Sequence, residues 1–253
     1  MKRKPILNLL VMLFFLLGAL ILIFITYPYW TKPDNSNYKG FGIPIPKPYQ
    51  IHGIDVSRYQ GNINWPMVAD MKHDNTQLQF AFIKATQGLT LPDPYFKRNW
   101  EEAKKAGMIR GAYMYFHPKQ SPELQAAFFA QMVGHLAPGD FHPVVDIECE
   151  GEIGCERVQR SLKLCLDHLE HRYGVKPIIY TNASYYKDYL KDNFNAYPLW
   201  VSHYGPIDKP RVIRDWHFWQ HNDHGFVDGI KHHVDFNVFQ GSMDELRQYC
   251  IKP

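Results

Sequence analysis

From residue 51 onward, short apolar runs alternate with stretches of helical period. "IHGIDV" (51–56) is followed by a helix start at Asn64, Trp65 and Pro66 and a helix over about 65–72. "LQFAFIKAT" leads through "LPDPYF" to a helix over about 94–106, closed by Gly107. "MIRGAYMYF" precedes "SPELQAAFFAQMVGHL", where Ser121 and Pro122 supply an N-cap and a first helical turn. "HPVVDIE" precedes an amphipathic helix over about 156–172 ended by Gly174, and "KPIIYTN" precedes a short helix near 184–192. Strands alternating with helices predict a parallel sheet with crossover connections.

The pattern then changes. "LWVSHY", "WHFWQH" and "VDFNVF" are strand-like, but "GPIDKPRVIRD" and "NDHGFVDGIKHH" between them have no helical period. Only "SMDELRQY" afterwards is helical. The expected fold is α/β: an irregular (β/α) TIM-like barrel with about eight strands and a reduced set of helices. In such barrels the active site gathers at the C-terminal ends of the strands.

One N-terminal transmembrane helix is expected ahead of the barrel. Residues 6–26 are apolar apart from Asn8, and at about 1.5 Å per residue they span roughly 30 Å, a bilayer core. A cleaved signal peptide usually has a shorter apolar region, about 7–15 residues, ending in small residues. Here the run ends in "TYPYW", which suits a membrane–water interface, while Lys2, Arg3 and Lys4 favour the cytoplasmic side. The expected organisation is a cytoplasmic basic tail (1–5), a membrane anchor (6–26), a Pro-rich stalk (27–50) and a barrel domain (51–253). That domain would lie outside the cytoplasm, on the periplasmic or cell-wall side.

The chain has 28 basic and 25 acidic residues, and without Lys2, Arg3 and Lys4 the counts are 25 and 25. A neutral exported part argues against a nucleic-acid partner. Outside the cytoplasm a disulfide is permitted, and Cys149 with Cys155 would close a short loop; Cys165 falls on the apolar stripe of its helix.

The candidate chemistry starts at "VVDIE". Side chains on a strand alternate faces, so Asp146 and Glu148 share one face above Val144, roughly 6–7 Å apart at Cβ. In an apolar setting one of the two acids has a raised pKa and can donate a proton, half of what glycoside hydrolysis requires. Asp55 ends the first apolar run and Asp235 sits in the last, and barrel closure makes those strands neighbours. Tyr113, Tyr115, Phe116, Tyr180, Trp200, Tyr204 and Trp219 lie at strand ends, where rings either stack on sugar faces or serve as ordinary core. A metal-dependent hydrolase is a rival, motivated by His52, His142, His221, His224, His232 and His233. None of these has a ligand spacing that fixes a site, so neither a metal nor another cofactor is expected. A second rival is a non-catalytic glycan-binding protein on the same barrel.

"HGIDVSRYQGNINW", "FAFIKATQG", "GAYMYFHP", "PVVDIE", "PIIYTN", "LWVSHY", "FWQH" and "VDFNVF" resemble, in order, the motifs of the family-25 glycoside hydrolases. These are lysozyme-type muramidases that cut β-1,4 bonds between N-acetylmuramic acid and N-acetylglucosamine. The resemblance covers about 51–240 and implies an irregular barrel with few helices and peptidoglycan glycan strands as partner. It further implies Glu148 as proton donor, Asp146 as its partner, and Asp55 and Asp235 as the remaining acids of the site. Lys84, Tyr180, Trp200, Tyr204 and Gln220 are the implied substrate contacts, and Tyr113 and Phe116 join them as candidate contacts by their place at a strand end. The resemblance favours retention, through either the substrate's 2-acetamido group held by Asp146 or a direct carboxylate such as Asp55. "CEGEIGC", straight after Glu148, departs from the pattern and would reshape one side of a cleft.

Overall fold

The computed structural model describes residues 12, 16–19, 40–148 and 154–253. Two units are distinguished, Met1–Asn37 and Tyr38–Pro253. In the first, Met12 and residues 16–19 are helical, and the rest of the expected membrane segment 6–26 lies outside the described residues. Among the described residues no helix is long and apolar enough to cross a membrane.

The second unit contains ten strands: β1 (Ile51–Val56), β2 (Lys72–His73), β3 (Thr76–Gln87), β4 (Leu91–Pro92), β5 (Ile109–Tyr115), β6 (Val144–Asp146), β7 (Ile178–Asn182), β8 (Leu199–Ser202), β9 (Phe218–Gly225) and β10 (Val234–Phe239). Eight close into a barrel in the order β1, β3, β5, β6, β7, β8, β9, β10, with β10 returning to β1. The short β2 and β4 pair only with β3. The eight-strand expectation holds, with one reversal: β10 is antiparallel to both neighbours. β9 runs four residues into the expected loop, and only residues 226–233 separate it from β10. A parallel neighbour needs a crossover of a dozen or more residues, so this short link forces the chain to double back.

The expected helices form at Trp65–Asp70, Phe96–Lys105, Pro122–Val133 and Cys155–Tyr173. Ser121 caps its helix by accepting from the Leu124 N–H, and Gly174 ends the longest one in a left-handed conformation, φ 71°. The short helix expected near 184–192 forms as an irregular one, an α-helical turn at Ala183–Tyr185 passing into a π-helical turn at Tyr186–Leu190 and a 3-10 turn at Lys191–Phe194.

Strand alternation divides the apolar residues into two sets. Phe80, Phe82, Val144, Ile178, Trp200, Phe218 and Phe239 fill the barrel interior. Ile54, Ala81, Ile83, Met114, Val145, Ile147, Ile179 and Val238 belong to the shell beneath the helices, which includes the stripe Leu162, Cys165, Leu166 and Leu169. Two glycines admit the interior rings: a Cβ at Gly53 would sit 2.4 Å from the Phe80 ring, and one at Gly111 would sit 2.5 Å from Phe82. Phe82 stacks on Trp200 with ring centroids 4.3 Å apart, closing the floor under the barrel mouth.

The second half of the expected stalk packs on the barrel. Phe41 and Ile43 are buried, the Phe226 N–H donates to the Phe41 carbonyl (2.9 Å), and Tyr49 meets Trp219 edge-on. Large apolar side chains at 41, 43 and 49 gain more from burial than a solvated linker would allow.

Candidate active site

Asp55 on β1 and Asp235 on β10 are direct cross-strand partners, both turned into the barrel. Asp55 is the fifth residue of its strand and Asp235 only the second of its own. They meet at one mouth because β10 runs in reverse. Asp146 is the last residue of β6, and Glu148 follows two positions on. The ladder has ended there, yet the main chain stays extended between its neighbours. The Phe116 N–H donates to the Asp146 carbonyl (2.8 Å), and the Ile147 N–H donates to the Tyr180 carbonyl (2.9 Å). Ile147 is driven into the outer shell, and so Asp146 and Glu148 both turn inward.

The four acids line one cavity of about 420 Å³ together with Lys84, Tyr113, Tyr180, Trp200 and Gln220. Gln220 organises its floor. Its amide nitrogen donates to Asp55 Oδ2 (2.7 Å) and Asp235 Oδ2 (3.3 Å). Its oxygen accepts from the Tyr180 hydroxyl (2.8 Å) and the Tyr204 hydroxyl (2.5 Å). Asn237 donates to the same Asp55 oxygen (2.8 Å) and accepts from the Trp200 indole N–H (2.7 Å). Trp200 therefore shapes the floor and has no free donor. Tyr204 joins from the rim, half exposed. Lys84 donates to Gln87 (3.0 Å) and lies 4.9 Å from the Tyr115 ring centre.

Burial governs the protonation of these groups. It raises Asp146 well above the usual carboxylate range, and the Glu148 charge adds to this. Glu148 is also raised by burial, opposed by Lys84 and by a hydrogen bond from Asn182. Asp55 is pushed up to about 7 by burial, held back by its bonds from Asn237 and Gln220. Asp235 rises to about 9, first through burial and then through the charge on Asp55. Asp55, with two amide donors, is thus the ionised member of the pair and Asp235 the protonated one. Burial also lowers Lys84 from the usual ammonium range. Asp146 Oδ1 is buried with no hydrogen-bond partner. Such an oxygen is costly to bury unless something completes it.

Two expected aromatics face elsewhere. Phe116 is fully buried in the outer shell, because it follows inward-facing Tyr113 and Tyr115 at odd spacing. Trp219, one position before Gln220, faces outward for the same reason and donates to the His203 carbonyl (2.9 Å). Reading the sequence also missed Tyr59, Gln87 and His117, which line the cleft, and Asn237 behind Asp55. Asn237 was accessible by alternation, two residues after Asp235 in "VDFN".

Of the six histidines singled out, none is among the described residues lining the cleft. His52 and His221 are buried, and His224 stacks near His233 beside the β9–β10 turn. No group of His, Cys, Asp or Glu among the described residues is arranged to hold a metal ion. Cys155 is a free thiol donating to the Tyr189 carbonyl (3.2 Å), and Cys165 is a buried one. Cys149 lies outside the described residues, as does most of the "CEGEIGC" insert.

Comparison with known proteins identifies the family. A family model described as glycosyl hydrolases family 25 matches residues 54–230. The uncharacterized protein YegX of Escherichia coli O6:H1 is 47% identical over 211 residues, covering 83% of this chain and 77% of that one. Lysozyme M1 of Streptomyces globisporus is 33% identical over 216 residues, covering 78% of this chain and 70% of its own. Among solved structures, a family 25 glycosyl hydrolase from Bacillus anthracis matches with TM-score 0.76 and 30% identity, covering 85% of this chain and 99% of that one. A match over residues 54–230 takes in the barrel from the middle of β1 through β9, and it makes this chain a member of family 25 of the glycosyl hydrolases.

Proposed function

We propose that the chain is a lysozyme, hydrolysing the β-1,4 bond between N-acetylmuramic acid and N-acetylglucosamine in peptidoglycan, with Glu148 as proton donor. The observation that carries this reading is the acid pair at the mouth: Glu148 with a raised pKa beside Asp146, whose Oδ1 is buried and unpartnered. A carboxyl whose pKa is raised by burial is suited to general acid work. Glu148 gives its proton to the glycosidic oxygen as the bond to C1 breaks.

The positive charge developing at C1 needs stabilisation from the far face of the sugar. Asp55 Oδ2 is already engaged, accepting from Gln220 and Asn237. The open acceptor on Asp146 fits the N–H of the substrate's 2-acetamido group. Held there, the acetamido carbonyl oxygen forms a bond to C1, and water then attacks C1 while Glu148 takes back a proton. Two displacements at C1 retain its configuration. Gln220, Tyr180 and Tyr204 position Asp55 and Asp235 as the cleft floor, and Lys84 balances part of the negative charge.

Digestion of purified peptidoglycan tests the reading. The expected products carry muramic acid at the new reducing end, released first as the β anomer. Glucosamine at the new ends, or sacculi that are bound but never cut, would contradict it; the latter result is the signature of a glycan-binding protein.

The apolar run 6–26, flanked by Lys2, Arg3 and Lys4 and by an aromatic cluster, supports a further part of the proposal. It anchors the chain in a membrane and places the barrel on the periplasmic or cell-wall side.

A further inference from the structure

A second cavity, about 380 Å³, opens beside the cleft at the ends of β7 and β8. Asn182, Ser184, Lys187, Ser202, Tyr204 and Arg211 are among its walls. Two of these bond residues that line the cleft: Asn182 hydrogen-bonds the Glu148 carboxylate, and the Tyr204 hydroxyl donates to Gln220. The annex is therefore one side chain away from the cleft. Their charges are opposite. The cleft gathers four acids around Lys84, whereas none of the described residues lining the annex is acidic, and Lys187 and Arg211 stand in its wall. Among the described residues neither cation has an ion-pair partner, although the surface pairs Lys105–Glu102, Lys163–Asp167 and Arg247–Asp244 all form. The Arg211 backbone N–H donates to His203 Nδ1 (3.0 Å), which fixes that stretch of loop against the annex.

The substrate proposed above has this same division of charge. Its glycan backbone is neutral, while the arm at O3 of muramic acid bears a peptide with free carboxylates. We propose that the annex is a subsite for the carboxylates of that peptide arm, held by Lys187 and Arg211 with the Ser184 and Ser202 hydroxyls beside them. This rests on the muramidase reading of the cleft. It makes the enzyme selective for peptide-bearing strands. Among the described residues lining the cleft Lys84 is the single Lys or Arg, so an anionic arm finds its further cationic partners in the annex.

The test uses the full chain on two forms of one peptidoglycan: intact, and with its peptide carboxylates converted to amides. Wild type is expected to cleave the intact polymer with the higher kcat/KM. In a Lys187→Ala/Arg211→Ala variant that ratio falls about tenfold, the scale of two exposed ion pairs. A Lys187→Arg/Arg211→Lys variant, which keeps both charges, retains it. A wild type indifferent to amidation, or an alanine variant that keeps the preference, overturns the subsite while leaving the muramidase reading intact. Failure of wild type to cleave either polymer overturns that reading, and the subsite with it.

Discussion

Asp55 accepts from both Gln220 and Asn237, whereas Asp235 accepts only the longer contact from Gln220, 3.3 Å, and hydrogen-bonds Asp55 itself. That asymmetry decides which acid of the pair carries the charge, and it has a consequence for stability. Asp235 has a folded pKa of about 9, far above its value of about 3.8 in an unfolded chain. A group whose pKa is raised on folding contributes stability below its unfolded pKa and loses it as pH climbs towards the folded one. The site is therefore increasingly unfavourable for folding between about pH 4 and pH 9. Asp235→Asn keeps a donor towards Asp55 and removes the titration. Allowing for partial exposure and coupling, the variant should gain about 1–2 kcal/mol at pH 8, roughly 3–6 °C in Tm, with the gain vanishing near pH 4. Thermal melts across that range check this; an unchanged or lower Tm at pH 8 would contradict it.

At the scale of elements, the site depends on register. Asp55 faces Asp235 because β1 and β10 pair as Ile51 with Phe239, Gly53 with Asn237 and Asp55 with Asp235. A slip of one residue would turn all the inward groups outward. Much of this was legible in the sequence. Apolar periodicity located the eight barrel strands and the four longer helices, and alternation placed Asp146 with Glu148. The reversal of β10 was not legible, because "NDHG" reads as loop and becomes strand only by pairing with β10. Phe116 was misplaced by hydrophobicity alone, although counting positions from Tyr113 puts it on the outer face. The packing of Phe41 and Ile43 was hidden by the prolines that follow them, which suggest a linker and say nothing about neighbours. The floor of the cleft was the least legible part. Gln220 and Asn237 matter through partners 165 and 182 residues away.

At the scale of the whole molecule, charge and hydrophobicity divide the chain. All of the net charge of +3 resides in Lys2, Arg3 and Lys4, directly before the apolar run. If that run anchors the protein, the full chain remains with membranes through alkaline carbonate extraction, and a version lacking residues 1–26 does not. Recovery of the full chain in the soluble fraction would contradict the anchor. Anchored in this way, a barrel domain with 22 basic and 24 acidic residues over 51–253 works on an anionic polymer. Its acidic cleft faces the neutral glycan backbone, and the Lys187–Arg211 annex faces the charged arms.

The central claim is that Glu148 supplies the proton that breaks the glycosidic bond. Its most direct test is the initial rate of reducing-end release from peptidoglycan by wild type and by Glu148→Gln, with binding to sacculi and Tm measured on the same samples. Glutamine fills the same space without a transferable proton, so the account predicts a fall in kcat of about 10³-fold with binding and Tm retained. Turnover at the wild-type rate in Glu148→Gln would contradict it.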